Sequence, residues 1–189
     1  MISLGKYLAD GDQGKTAVGQ TPAEFAIEIK SLPRPEWCAP LPQIIANEHR
    51  VVLMYAIDHF RPADQVGLLV VTEDTPSSWA VLEFTWIYDC RFGSFSDISC
   101  ERHPLASAGL QMGAVHIVEN SHWKAKILGN VHPNPITLGK PRPELIHYLF
   151  TFHDSLFECI AGPPESSVLS GTAREVVRKV CTEMLFDRP

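Results

Sequence analysis

The chain has 189 residues, 45% of them hydrophobic and 20% charged, and its 22 acidic and 16 basic side chains give a net charge of −6. That length and composition suit one globular domain that needs neither disulfide nor metal staples to bury a core. The acidic balance (pI about 5.7), with no Lys/Arg cluster, excludes a nucleic-acid surface, and no apolar run approaches the roughly 18 residues that a membrane span needs.

Residues 1–20 are rich in Gly and Asp and poor in large apolar groups, which predicts a weakly ordered arm; residues 21–189 are expected to form the single globular domain. Met1–Lys15 lacks the basic region and apolar core of a signal peptide. The five cysteines, at 38, 90, 100, 159 and 181, form no C-x-x-C pair. Both features predict a cytoplasmic protein with reduced thiols. Thr21-Pro22-Ala23-Glu24 has the pattern of a helix capping box, yet Phe25, Ile27 and Ile29 alternate with Ala26, Glu28 and Lys30. The two signals conflict, and the strand reading is preferred. Pro33–Pro42 is a proline-rich connector.

Arg50–Ile57 and Val66–Thr72 are short apolar runs rich in β-branched residues, which predicts strands buried on both faces. Trp79–Tyr88 alternates, with Leu82, Phe84, Trp86 and Tyr88 on one face and Glu83 and Thr85 on the other. Short links between these three favour an antiparallel meander. Cys90–Gly113 reads as irregular, and Ala114–Glu119 as another strand. Ser121 stands where an N-cap belongs, Trp123 and Ile127 share a helical face, and Gly129 is placed to end a helix of about two turns. Val131–Glu144 is proline-rich loop.

Ile146–Gly162 is the most informative stretch. Tyr148, Phe150 and Phe152 alternate with His147, Leu149, Thr151 and His153, and Asp154-Ser155 is a turn-forming pair. A two-residue loop there places Phe152 opposite Phe157 and Phe150 opposite Cys159, all on one apolar face. A single strand running through Asp154 is the competing reading, because the turn lacks glycine. Gly162-Pro163-Pro164 follows. Thr172-Ala173-Arg174-Glu175 is a second capping box, opening a closing helix whose apolar stripe is Val176, Val177, Val180, Cys181 and Met184.

Four short strings occur in order: His103-Pro104-Leu105, Glu119-Asn120-Ser121-His122-Trp123, His132-Pro133, and Phe152-His153-Asp154-Ser155-x-Phe157-Glu158. Together they resemble motifs of a family of small uncharacterised bacterial proteins, over roughly residues 84–162. The resemblance implies kinship and, since that family has no assigned function, no activity.

Six of the eight histidines lie between 103 and 153. His103, His116, His122, His132 and His153 are candidates to converge with Glu119, Asp154 or Glu158 on a metal, although no two stand at a recognised ligand spacing. The competing reading makes His153 and Asp154 turn residues and the His-Pro pairs loop corners. Ser155 beside His153 and Asp154 mimics a catalytic triad only in sequence. Phosphate loops and nucleophile elbows are absent. Glu83 and Glu158 would pair for acid–base work only if their strands were neighbours. Trp79, Trp86, Trp123, Phe92 and Phe95 are candidates for a pocket lining, and the long segment Arg91–Gly109 is the candidate functional loop.

These readings predict an α+β protein, predominantly an antiparallel sheet of about six strands, with a short helix after Ser121 and a C-terminal helix packed on one face. A site, if present, is expected where Arg91–Gly109 meets the sheet, with His103, His116, Glu119, His153, Asp154 and Arg91 as binding residues. The leading function is a non-catalytic binding protein of accessory or immunity type with a protein partner, no cofactor, no resident metal, no nucleic acid and no membrane. A metal-dependent enzyme using the His-rich region and a small-ligand binder with an aromatic pocket are the alternatives.

Overall fold

The computed structural model describes residues 22–36, 42–57, 73–130, 136–137, 140–141 and 143–186. The predicted N-terminal arm, the strand expected at Val66–Thr72 and the His132-Pro133 pair lie outside the described residues. The fold is α+β with mainly antiparallel sheet. One five-stranded sheet has the order β1 (Phe25–Glu28), β6 (Val115–Glu119), β9 (Ile146–Thr151), β10 (Ser155–Ala161), β5 (Ile87–Ser94). A four-stranded sheet has the order β11 (Glu165–Gly171), β4 (Ser77–Phe84), β3 (Val51–Ala56), β2 (Gln43–Ala46). A minimal pair, β7 (Ile136–Thr137) and β8 (Lys140–Pro141), stands apart from both. The described strands thus exceed the six expected. The helices are α1 (Asp97–Cys100), α2 (His122–Asn130) and α3 (Ala173–Phe186).

The two sheets pack face to face. Leu53, Tyr55, Leu82 and Phe84 of one meet Val115, Tyr148, Phe150, Phe157 and Cys159 of the other. Phe84 is surrounded by the rings of Tyr148, Phe150 and Phe157, at centroid separations of 5.7, 6.4 and 6.2 Å. β3 is buried at every position because α3 covers its other face, where Val52, Met54 and Ala56 join Trp79, Val81, Ala173, Val176 and Val180. A continuous apolar run is what such a doubly covered strand requires. The second capping box forms as expected: Glu175 N–H donates to Thr172 Oγ1 at 3.2 Å, and Thr172 N–H donates to Glu175 Oε2 at 2.9 Å.

The Trp79–Tyr88 stretch is not one strand. β4 ends at Phe84, the chain bends at Thr85–Trp86, and β5 continues in the other sheet. Beside this corner, Gly162-Pro163-Pro164 carries β10 out of the five-stranded sheet and into β11 of the four-stranded one. β10 pairs with β5 and β11 with β4, so the two crossings run together as one folded ribbon. Gly162 N–H donates to Trp86 O at 2.8 Å, and a Cβ at 162 would stand 2.8 Å from Pro143 Cγ. The corner is closed too tightly for a side chain.

The 146–161 hairpin forms, with the turn one residue earlier than expected. Phe152 N–H donates to Ser155 O at 2.9 Å, so His153-Asp154 is the two-residue loop. Phe157 then faces Phe150, and Cys159 faces Tyr148, a register slid by two residues along the ladder. A slip of two preserves the face, and Phe150, Phe152, Phe157 and Cys159 are all buried together.

The residues expected to be irregular from Cys90 onward divide in two. Those up to Ser94 belong to β5. From Phe95 to Gly113 the chain makes α1 and a succession of turns that lies over the outer face of the five-stranded sheet. Phe95, Leu105 and Leu110 pack there against Ala26, Val118 and Leu149. Ala26 N–H donates to Ala108 O at 2.7 Å, and Gly109, at φ +97, sits where a Cβ would collide with the Ala26 carbonyl. This segment is a packed cover and not a free loop.

Candidate functional site

The six residues expected to bind do not meet at one place. His116 is fully buried beneath the cover, with Nε2 accepting from Gln111 N–H at 3.1 Å. Its Nδ1 has no hydrogen-bond partner of good geometry. Burial lowers its pKa below the ordinary imidazole value, against smaller opposing effects of the Leu149 backbone and the Glu28 carboxylate. Glu119 is exposed opposite Phe25 and points to the other side of its strand. His153 and Asp154 hold each other at the hairpin tip, with Nδ1 2.9 Å from Oδ2. Glu83 and Glu158 stand on different sheets, and Glu83 pairs with Arg50 at 2.8 Å.

Arg91 and His103 do share a neighbourhood, on the outer face of the five-stranded sheet beside α2. The strand registers build it. Glu158 lies directly opposite Arg91, and His147 and Asp89 both lie opposite Ile160, one pleat further along. All four side chains turn away from the inter-sheet core. Over them comes α2, entered through the Glu119–Trp123 motif. Asn120 takes φ +54, a left-handed turn that Asn tolerates well, and its Nδ2 donates to Ala23 O at 3.1 Å. Ser121 caps the helix, its Oγ accepting from Lys124 N–H at 3.0 Å. Glu24, read from sequence as part of a helix start, instead serves this helix: His122 N–H donates to its Oε1 at 2.6 Å. Gly129 lies within α2 and does not end it.

Ser121 Oγ also lies 2.8 Å from His147 Nδ1, and both residues are buried. The hydroxyl oxygen, which also accepts from Lys124 N–H, is a donor or an acceptor in this bond according to the ring tautomer. His147 Nε2 is 3.5 Å from Glu158 Oε1. That separation satisfies an electrostatic contact but not a hydrogen bond, and Nε2 stands without a direct partner. Trp123 packs edge-on to the His147 ring at 5.1 Å, donates from Nε1 to Asp89 Oδ2 at 3.1 Å, and carries the Arg91 guanidinium 4.0 Å above its ring. Trp123 is half-buried. His103 stands across from Glu158, its Nδ1 accepting from Leu105 N–H at 3.2 Å. Burial lowers the His103 pKa; the Glu158 carboxylate opposes that shift and His147 adds to it.

Ser121, His147 and Glu158 are a serine, a histidine and a carboxylate in sequence, and their geometry is the reverse of a hydrolytic triad. The acid faces Nε2 and the hydroxyl faces Nδ1, and the hydroxyl is 3% exposed and committed to a helix cap. No substrate carbonyl can reach it in this arrangement. Among the described residues no three His, Cys, Asp or Glu side chains gather as a metal site. Two concavities lie elsewhere, one of about 180 Å³ beside Arg50, Glu83 and Glu183, and one of about 370 Å³ beside Glu28, Lys30 and Arg34. No aromatic side chain is among the described residues lining either. The aromatics expected to line a pocket are dispersed: Trp79 under α3, Trp86 at the corner, Phe95 under the cover and Phe92 in solvent. Among the described residues no helix is long and apolar enough to cross a membrane.

Sequence reasoning missed His147, Ser121, Trp123, Asp89 and Glu158 as one group. A partial signal existed, since alternation along the hairpin puts His147 and Glu158 on the same face. Their approach to Ser121 and Trp123 depends on where α2 lands, which no local pattern encodes. No known protein family, no curated protein and no solved structure matches the chain.

Proposed function

We propose that the chain is a non-catalytic binding protein, of accessory or immunity type, that meets a protein partner through the Trp123–Arg91–Asp89 surface on the outer face of the five-stranded sheet. The observation that carries this reading is the division of labour at that face. The polar groups suited to chemistry, Ser121 and His147, are buried and tied into a helix cap. Trp123 and Arg91, residue types that dominate binding energy at protein interfaces, are held stacked at the surface. A cytoplasmic setting belongs to the same proposal and is supported by the free thiols of Cys90, Cys100, Cys159 and Cys181. So does kinship with the small bacterial proteins that carry the Glu-Asn-Ser-x-Trp and Phe-His-Asp-Ser-x-Phe-Glu strings.

Two measurements test the reading. A fluorophosphonate probe for activated serines should leave the native chain unlabelled; labelling abolished by Ser121→Ala would make the site catalytic. Affinity capture run in parallel with the wild type and Trp123→Ala, with quantitation by mass spectrometry, should recover a protein that the variant loses at least about tenfold. Equal recovery from a folded variant removes this surface as the binding site.

A further inference from the structure

Cys90 and Cys159 face each other across the ladder of β5 and β10. The pairing around them is regular, with Asp89↔Ile160 on one side and Arg91↔Glu158 on the other. Phe95 N–H donates to Asp154 O at 3.0 Å, which fixes the alternation along the ladder. Gly93↔Leu156 and Arg91↔Glu158, two and four residues along, likewise exchange backbone hydrogen bonds, and Cys90↔Cys159 is a non-hydrogen-bonded pair. Such a pair brings its Cα atoms to about 4.5 Å with both side chains on one face. A disulfide accepts Cα separations of about 4.4–6.8 Å. Both cysteines are free thiols. Cys159 is fully buried in the inter-sheet core, while Cys90, on the strand that ends the sheet order, is exposed. The other described thiols lie elsewhere. Cys100 packs with the cover on the opposite face of this sheet, and Cys181 is on α3, beyond the other sheet.

We propose that Cys90 and Cys159 are a reversible dithiol–disulfide site whose oxidant is a low-molecular-weight disulfide. The exposed thiol meets the oxidant and the buried one resolves. In the first step the Cys90 thiolate attacks one sulfur of the oxidant. The oxidant's S–S bond breaks, and the first small thiol leaves with the proton that Cys90 gave up. Cys159 Sγ then loses its proton and attacks Cys90 Sγ; the mixed disulfide breaks, and the second small thiol leaves with that proton. The two cysteines are oxidised by two electrons in all, and the oxidant is reduced to two thiols. Burial and then the Asp89 carboxylate raise the Cys90 pKa. Burial raises that of Cys159 well above the ordinary thiol value, with Cys90 and Glu158 adding to the shift. Both groups therefore rest as thiols at neutral pH, and the pair exchanges slowly with its surroundings. The bond ties the end strand β5 to the buried strand β10. Asp89 and Arg91, the neighbours of Cys90, are the residues that Trp123 holds through a hydrogen bond at 3.1 Å and a stack at 4.0 Å. Oxidation therefore stiffens the strand that carries that surface, whether or not a protein docks on it.

Non-reducing peptide mapping after treatment with glutathione disulfide and quenching with N-ethylmaleimide tests the site on the full chain. The wild type should lose two hydrogens in mass and yield the Cys90 and Cys159 peptides joined, and dithiothreitol should separate them. Cys159→Ala should stop at the first step, with glutathione retained on Cys90. Cys90→Ser should leave Cys159 unmodified in the folded chain, because solvent does not reach that thiol. Position 90 is exposed and outside the core, so this variant keeps the test decisive even where Cys159→Ala fails to fold. Amide exchange at Arg91 and Gly93, whose N–H groups pair with β10, should slow at least about tenfold on oxidation. Glutathione retained on wild-type Cys90, a Cys90-to-Cys90 link between two chains, a different intramolecular partner for Cys90, or unchanged exchange in β5 would each overturn the proposal.

Discussion

Ser121→Ala probes the junction on which the outer face is built. The substitution removes two interactions from one oxygen. The first is the helix cap to Lys124 N–H at 3.0 Å, and loss of such a cap costs about 0.5–2 kcal/mol. The second is the 2.8 Å contact with His147 Nδ1. His147 is only 5% exposed, so water does not replace the lost partner, and its Nε2 already stands without one. Leaving a buried polar atom unpaired costs about 1–3 kcal/mol. Together the loss should reach about 2–4 kcal/mol, read as a fall of about 1–2 M in the urea midpoint at unchanged slope. His147→Phe keeps a ring against Trp123 and removes the nitrogen. In that background Ser121→Ala should cost the cap alone, about 1 kcal/mol, leaving a coupling of about 1–3 kcal/mol. A wild-type loss below about 0.5 kcal/mol, or the same loss in both backgrounds, would refute the claim that this bond ties α2 to the sheet.

Two further outcomes are expected. Phe150→Ala empties the centre of the inter-sheet core, where the ring lies 5.8 Å from Phe157 and 6.1 Å from Tyr55; calorimetry should show a loss of about 3–5 kcal/mol, and a smaller one would mean that the sheets close over the gap. Burial lowers the His116 pKa from 6.5 in the folded chain. As pH falls below that value, the unfolded chain takes up a proton first, so stability is full above it and declines towards the folded pKa. His116→Gln keeps an acceptor for Gln111 N–H and should flatten stability between about pH 7 and pH 5. His103 is shifted the same way and would leave a residual slope. An unchanged slope would show that His116 is not held neutral.

How much was legible from sequence follows from which residues face a core. Val51–Ala56 is buried on both faces, so its apolar run declared a strand without help from its neighbours. The 146–161 hairpin announced itself by alternation, and its buried face was right even though the turn lay one residue earlier, because a slip of two residues keeps the face. Thr172–Glu175 and Ser121 work through backbone groups within a few residues, and such local chemistry can be read directly. β2, β5 and β11 gave no such signal. β5 and β11 end their sheets with most side chains in solvent, so no apolar period marks them, and their neighbours alone make them strands. The bend at Thr85–Trp86, which turned one apparent strand into two, is set by the passage between sheets and the close approach of Gly162. The outer-face group failed to appear for the same reason. Arg91, Glu158, His147 and Asp89 meet through strand register, and Ser121 and Trp123 join them because α2 docks there. Sequence by itself determined the residues whose structure depends on their own burial or on the backbone within one turn. Register between distant strands and the landing of a helix depend on contacts summed over the whole chain, and only the tertiary structure decided them.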